Sequence, residues 1–167
     1  MITVPTVRNI AEAVNPSIKS LSYLNNILAK IEAKNSGCME AVMLNHQGYV
    51  AECTGDNIFM IRGGAASGGR PLLLTPPVYL GALKGITRQA IIEIAQKQKL
   101  AFEERVLTRH DLFNASEVFL TGTAAEVIPV VKLDGRVIGE GVPGPVTERL
   151  RSAFRQLTKT DGVRYKI

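Results

Sequence analysis

The stretch EAVMLNHQGYVAE, residues 40–52, sets the strongest limit on the fold. Two apolar runs flank the polar turn Asn45 to Gly48, the pattern of two strands that fold back on each other. A sheet that contains such a hairpin is not purely parallel. Asp134-Gly135, between VIPVVKL and RVI, is a second hairpin turn. NIFMIR, PLLLTPP, AFEERVL and EVFLT read as further strands, with GGAASGG as a flexible loop. Leu21, Leu24, Leu28 and Ile31 recur at helical spacing before Gly37, so a helix is expected from about Leu21 to Ser36, its apolar stripe pointing inward.

Three more helices complete the set. Gly85-Ile86-Thr87 opens one that carries Ile91, Ile94 and Ala95. Thr108 and Asp111 have capping-box spacing for a short one. Pro145 suits the first turn of the last, where Val146, Leu150, Phe154 and Leu157 oppose Arg151, Arg155 and Lys159. The fold class is α+β with a mixed sheet, and no internal repeat interrupts it.

At 167 residues the chain suits one domain with a sizeable core. Its 46% apolar and 21% charged content is that of a globular protein. No run approaches the roughly 20 apolar residues of a membrane-spanning helix, and no secretory signal opens the sequence. Cys38 and Cys53 are too few for a disulfide framework; as free thiols they fit a reducing, cytoplasmic setting. The net charge of +5 is scattered, so nucleic acid is not an expected partner.

Several residues admit two readings on their own. Lys19, beside the apolar Ile18, is either a cation that snorkels to water or an amine wanted in a pocket. Glu52 ends an apolar strand face, either turning to solvent or entering a cleft. Tyr23, four residues after Lys19, is a half-buried core tyrosine or a hydrogen-bonding one on the same helical face. Thr87 at a helix start is an N-cap, an anion contact, or both. TGTAA, residues 121–125, is a tight connection or a loop that lets a ligand approach the backbone. His46 and His110 receive no role.

Four segments in order, SIKSLSYLNNILAKIEA, GYVAECTGDNIF, LKGITR and FLTGTAAEVIPV, resemble the class IV, fold-type IV aminotransferases that use pyridoxal 5'-phosphate (PLP). The branched-chain aminotransferases are the nearest pattern, over about Pro5 to Leu157. The resemblance implies a mixed-sheet pseudo-barrel with flanking helices, residues 1–167 being the large C-terminal domain without the small N-terminal one. It implies Lys19 as the Schiff-base lysine and proton carrier, and Glu52 as the partner of the pyridine nitrogen. Tyr23 would bond the phenolic oxygen, and Leu83 would pack on the ring. Gly85, Ile86, Thr87 and Thr123 would hold the phosphate, and Thr123, Ala124 and Ala125 the substrate carboxylate. Many relatives have glycine where this chain has Cys53.

The activity implied is transamination of branched-chain L-amino acids with 2-oxoglutarate, in a homodimer or higher oligomer. A D-amino acid aminotransferase, an aminodeoxychorismate lyase and a non-catalytic module on the same scaffold remain open. The family's small domain contributes a phosphate-binding arginine and part of the substrate wall, so weak turnover is expected of these residues alone.

Overall fold

The computed structural model describes residues 1–64 and 68–162. Within them, strands β1 (Ile2–Thr3), β2 (Ala41–Leu44) and β3 (Val50–Cys53) form one sheet. Strands β4 (Asn57–Gly64), β5 (Gly68–Thr75), β6 (Ala101–Glu104), β7 (Glu117–Gly122) and β8 (Glu126–Val130) form a second, in the order β6-β5-β4-β7-β8. A third pairs β9 (Lys132–Leu133) with β10 (Arg136–Val137). Both larger sheets are mixed: β1/β2 and β5/β6 run parallel, the other pairs antiparallel. The helices are α1 (Leu24–Asn35), α2 (Ile86–Lys97), α3 (Arg109–Phe113) and α4 (Pro145–Thr160).

Strand alternation explains how the layers stack. Ile58 and Met60 of β4 point to one side, into a core shared with Val42, Val50 and Cys53 of the smaller sheet. Phe59 and Ile61 point to the other side, where Ile91 of α2 and Leu150 and Phe154 of α4 cover them. Ile58, Phe59, Met60 and Ile61 are therefore a continuous apolar run because both faces of the strand are buried there. Phe59 stacks on Phe119 of β7 with ring centroids 5.1 Å apart. The two larger sheets enclose a common core without a ladder joining them, which is how the expected pseudo-barrel is realised.

Several element ends take the form that their local sequence dictates. Asn45 Oδ1 accepts from the amides of Gln47 and Tyr49, tightening the first hairpin turn. Asp134 and Gly135 both adopt positive φ, as a two-residue hairpin turn requires. Thr108 and Asp111 form the reciprocal capping box, and Pro145 sits in the first turn of α4. After α1, Gly37 takes a φ of 70° and Cys38 N donates to Ala33 O at 2.9 Å, closing the helix.

Four expectations need correction. Helix α1 begins at Leu24 rather than Leu21, and Tyr23 is its N-cap. Residues 5–23 carry no helix or strand, so Lys19 and Tyr23 do not share a helical face. The α1 stripe faces outward: Leu24 is 68% exposed, Leu28 48% and Ile31 46%, while Asn26, Ala29 and Ala33 are the buried positions. In GGAASGG, Gly63, Gly64, Gly68 and Gly69 belong to β4 and β5, and residues 65–67 lie outside the described part. Neither Cys38 nor Cys53 is in a disulfide, and they pack in different clusters. Among the described residues no helix is long and apolar enough to cross a membrane.

Candidate functional site

A cavity of about 530 Å³ opens where the irregular segment 5–23, the start of α1, the end of β3, the start of α2 and the β7–β8 turn come together. Its size suits a small organic ligand. Lys19, Tyr23, Glu52, Leu83, Gly85, Ile86, Thr87, Thr123 and Ala124 all line it. Of the residues singled out from the sequence, Ala125 alone is not in the lining; it sits in the same β7–β8 turn. Lys19 is exposed on the rim rather than enclosed.

Glu52 is buried at the floor, placed there by the β2–β3 hairpin, where it pairs with Met43. Its Oε1 meets Arg8 Nη2 at 2.6 Å. Its Oε2 accepts from Asn57 Nδ2 at 2.9 Å and from the Leu83 amide at 3.0 Å. Burial pushes the Glu52 carboxyl up to about 7, against the Arg8 cation and the Leu83 amide, which hold it down. Burial also raises the Tyr23 hydroxyl, helped by the negative charge of Glu52. That hydroxyl donates to Thr54 O, which also accepts from Asn26 Nδ2 at 2.8 Å.

On the opposite wall, α2 starts at Ile86 with Gly85 as N-cap and no side chain capping its amides. The first N–H groups of a helix have no partner within it, and the helix dipole favours an anion there. Thr87 adds a buried hydroxyl beside them. Two glycines set the shape of this wall. A Cβ on Gly85 would lie 2.2 Å from Asn57 Oδ1, and one on Gly122 would lie 2.1 Å from Asp56 Oδ1. Asp56 itself has its carboxyl raised, first by burial and then by Glu40. The arrangement holds one ionisable carboxyl at the floor, a primary amine at the rim, and a donor-rich wall for an anion.

Arg8, Asn26 and Asn57 belong to this site and were not singled out from the sequence. Asn57 stands inside GYVAECTGDNIF, one of the segments that carry the family resemblance, but Glu52 is the residue given a role there. Arg8 offers less: a lone arginine in TVRNI has no periodicity, and its carboxylate partner lies far along the chain.

The same arrangement of elements occurs in solved proteins. The branched-chain aminotransferase of Thermobaculum terrenum in its PLP form superposes with a TM-score of 0.87 at 37% identity, covering 93% of this chain and 49% of that one. The branched-chain aminotransferase of Thermoproteus uzoniensis with norvaline gives 0.85 at 38% identity, covering 93% of this chain and 50% of that one. In sequence, the branched-chain-amino-acid aminotransferase of Escherichia coli is 43% identical over 133 residues, 80% of this chain and 41% of that protein. The chain thus spans about half the length, or less, of the curated relatives it matches. A family model described as amino-transferase class IV matches residues 1–133. The chain belongs to the class IV aminotransferases.

Proposed function

We propose that residues 1–167 are the large, PLP-holding domain of a branched-chain-amino-acid aminotransferase that exchanges amino groups between branched-chain L-amino acids and 2-oxoglutarate. The activity is that of the whole protein, since the relatives are about twice as long. One observation carries the reading: a buried carboxyl, a rim lysine and an uncapped helix start face a single cavity.

The donor set fits PLP at both ends of the molecule. Glu52 Oε2 accepts from two N–H donors, those of Asn57 and Leu83, so it is held as an acceptor and suits a protonated ring nitrogen. The amides of Ile86 and Thr87, with the hydroxyls of Thr87 and Thr123, suit a phosphate. Gly85 and Gly122 let the Asn57 and Asp56 side chains pack directly against the backbone that borders the cavity. PLP, when bound, supplies an aldehyde carbon that takes up the amino group and a ring that withdraws electrons.

The protein's own residues do the rest. Lys19 would hold the cofactor, and its amine would be the group that takes up and gives back the proton of the substrate α-carbon. Glu52 holds a proton on the ring nitrogen, which keeps the ring able to accept charge. Tyr23 would turn its hydroxyl from Thr54 O to the cofactor's phenolic oxygen, and Leu83 would pack against the ring. The amides around Thr123, Ala124 and Ala125 receive the substrate carboxylate. The helix start and the two threonines fix the phosphate, so the reacting carbon is held in place.

The outward stripe of α1 supports a homo-oligomer in which a second copy covers Leu24, Leu28 and Ile31. Unpaired thiols support a cytoplasmic location. The test of function is direct. Purified protein is given PLP, leucine and 2-oxoglutarate, and glutamate formation is followed beside the visible absorption of the bound cofactor. Glutamate formation by the whole protein with a bound chromophore supports the reading; a chromophore in the whole protein without transfer from leucine to 2-oxoglutarate rejects the branched-chain assignment.

A further inference from the structure

Arg8 lies in a segment without regular structure, yet its side chain is only 6% exposed. A buried guanidinium is tolerated only when its charge and its donors are met. All three of its nitrogens are engaged, each on a different element. Nε donates to Gly81 O at 2.8 Å, Nη1 to Asn26 Oδ1 of α1 at 2.5 Å, and Nη2 pairs with Glu52 Oε1 of β3 at 2.6 Å. The fit at Gly81 is close: φ is 109°, and a Cβ there would stand 3.1 Å from Arg8 Cγ. With three anchors the guanidinium plane is fixed, and it fixes the Glu52 carboxyl in turn.

The two oxygens of Glu52 are thereby given separate tasks. Oε1 is occupied by a cation, while Oε2 lies on the side of Asn57 and Leu83, which also line the cavity. Other charges act on this carboxyl as well. Asp56 pushes its proton affinity up and Arg88 pulls it down, but Arg8 is the strongest influence opposing burial.

We propose that Arg8 is a positioning residue that keeps Glu52 a carboxylate, so that a proton shared with a ring nitrogen rests on the nitrogen and not on Oε2. The proposal rests on the reading of the cavity as a PLP site. A carboxyl and a pyridine-type nitrogen compete for one proton. A fixed cation on the far oxygen stabilises the carboxylate, and the proton moves to the ring. With a neutral side chain at position 8, burial would lose its strongest opponent and face only the weaker pull of the Leu83 amide and Arg88; the proton would return to Oε2, and the ring would withdraw electrons less well. Arg8 touches neither ring nor substrate in this scheme; it acts through Glu52.

The test reads the proton itself. PLP labelled with nitrogen-15 in the ring is bound to the wild-type protein, to Arg8→Gln and to Arg8→Lys at neutral pH. The nitrogen chemical shift then distinguishes a protonated ring from a neutral one, with folding checked by circular dichroism. The expected result is a protonated ring in the wild type and in R8K, which keeps the charge. R8Q should give a neutral ring and hold PLP roughly tenfold more weakly, since the ring ion pair is lost. A protonated ring in R8Q, matching the wild type, would overturn the proposal. Should R8Q fail to fold, R8K decides: a protonated ring upholds the role of the charge, and a neutral ring refutes it. A wild-type protein that binds no labelled PLP is a different failure, because it removes the cofactor reading beneath the proposal.

Discussion

Glu52 and Leu83 are joined across the floor of the cavity, the Leu83 amide donating to Glu52 Oε2 at 3.0 Å. Asn57 closes the unit, its side-chain amide reaching both Glu52 Oε2 at 2.9 Å and Leu83 O at 2.8 Å. Glu52 stands on the three-stranded sheet, Asn57 opens the five-stranded one, and Leu83 leads into α2. Three elements from different parts of the fold are thus locked at the point where the ligand would sit.

Gly85 borders this unit, and its replacement tests how firmly the unit is held. Its φ of −67° suits any residue, so Gly85→Ala brings a steric cost rather than a backbone one. The new Cβ would meet Asn57 Oδ1, and Asn57 is buried and held by two hydrogen bonds. Displacing it should cost about 1–3 kcal/mol of stability. PLP affinity should fall at least tenfold, since both the floor and the α2 amides shift. Thermal unfolding and a PLP titration check both. An alanine variant with wild-type affinity would mean that Asn57 moves freely, and the locked floor would be wrong.

Glu52 gives the ligand-free protein a pH dependence whose sign follows from burial. Its folded-state carboxyl sits at about 7, above the ordinary value of 4.5. The folded state therefore binds the proton more tightly than the unfolded one. The resulting stabilisation is fully present below the ordinary carboxylate range and is lost as pH rises through about 7. The whole step amounts to roughly 3 kcal/mol. Denaturant titrations of ligand-free protein should show stability falling across that window, and Glu52→Gln should flatten the fall. An unchanged slope in E52Q would assign the dependence to another group.

The sequence carried the elements better than it carried their surroundings. The Asn45 turn, the Thr108–Asp111 capping box and Pro145 were legible because each is a local signal, complete within a few residues. The α1 stripe was legible as an apolar face, but periodicity says that a face is covered and not by what. In this chain the core takes the Asn26, Ala29 and Ala33 side, and the leucines are left outward. Within the site, Glu52 and Thr87 stood out through their positions at a strand end and a helix start. Arg8 and Asn57 did not, because their partners are supplied by tertiary packing.

The outward leucines make a separate prediction about assembly. If a second copy covers them, Leu28→Glu combined with Ile31→Glu should convert the oligomer to a monomer with little loss of fold. Both side chains already face solvent within one chain, so the charges cost little there. Light scattering reads the mass and circular dichroism the fold. A double variant that keeps the wild-type oligomeric mass would show that another surface carries the association.

Lys19 offers the most direct measurement. Of the lysines among the described residues, Lys19 and Lys84 line the cavity, and Lys19 stands with Ser17, Ile18 and Ser20 at its rim. PLP is added to the purified protein, the covalent link is fixed with borohydride, and the modified peptide is mapped by mass spectrometry. The expected label is a single pyridoxyl group on Lys19, absent in Lys19→Ala while that variant still folds. Label on Lys84 or on a lysine outside the cavity, with Lys19 unmodified, would contradict the assignment of the site.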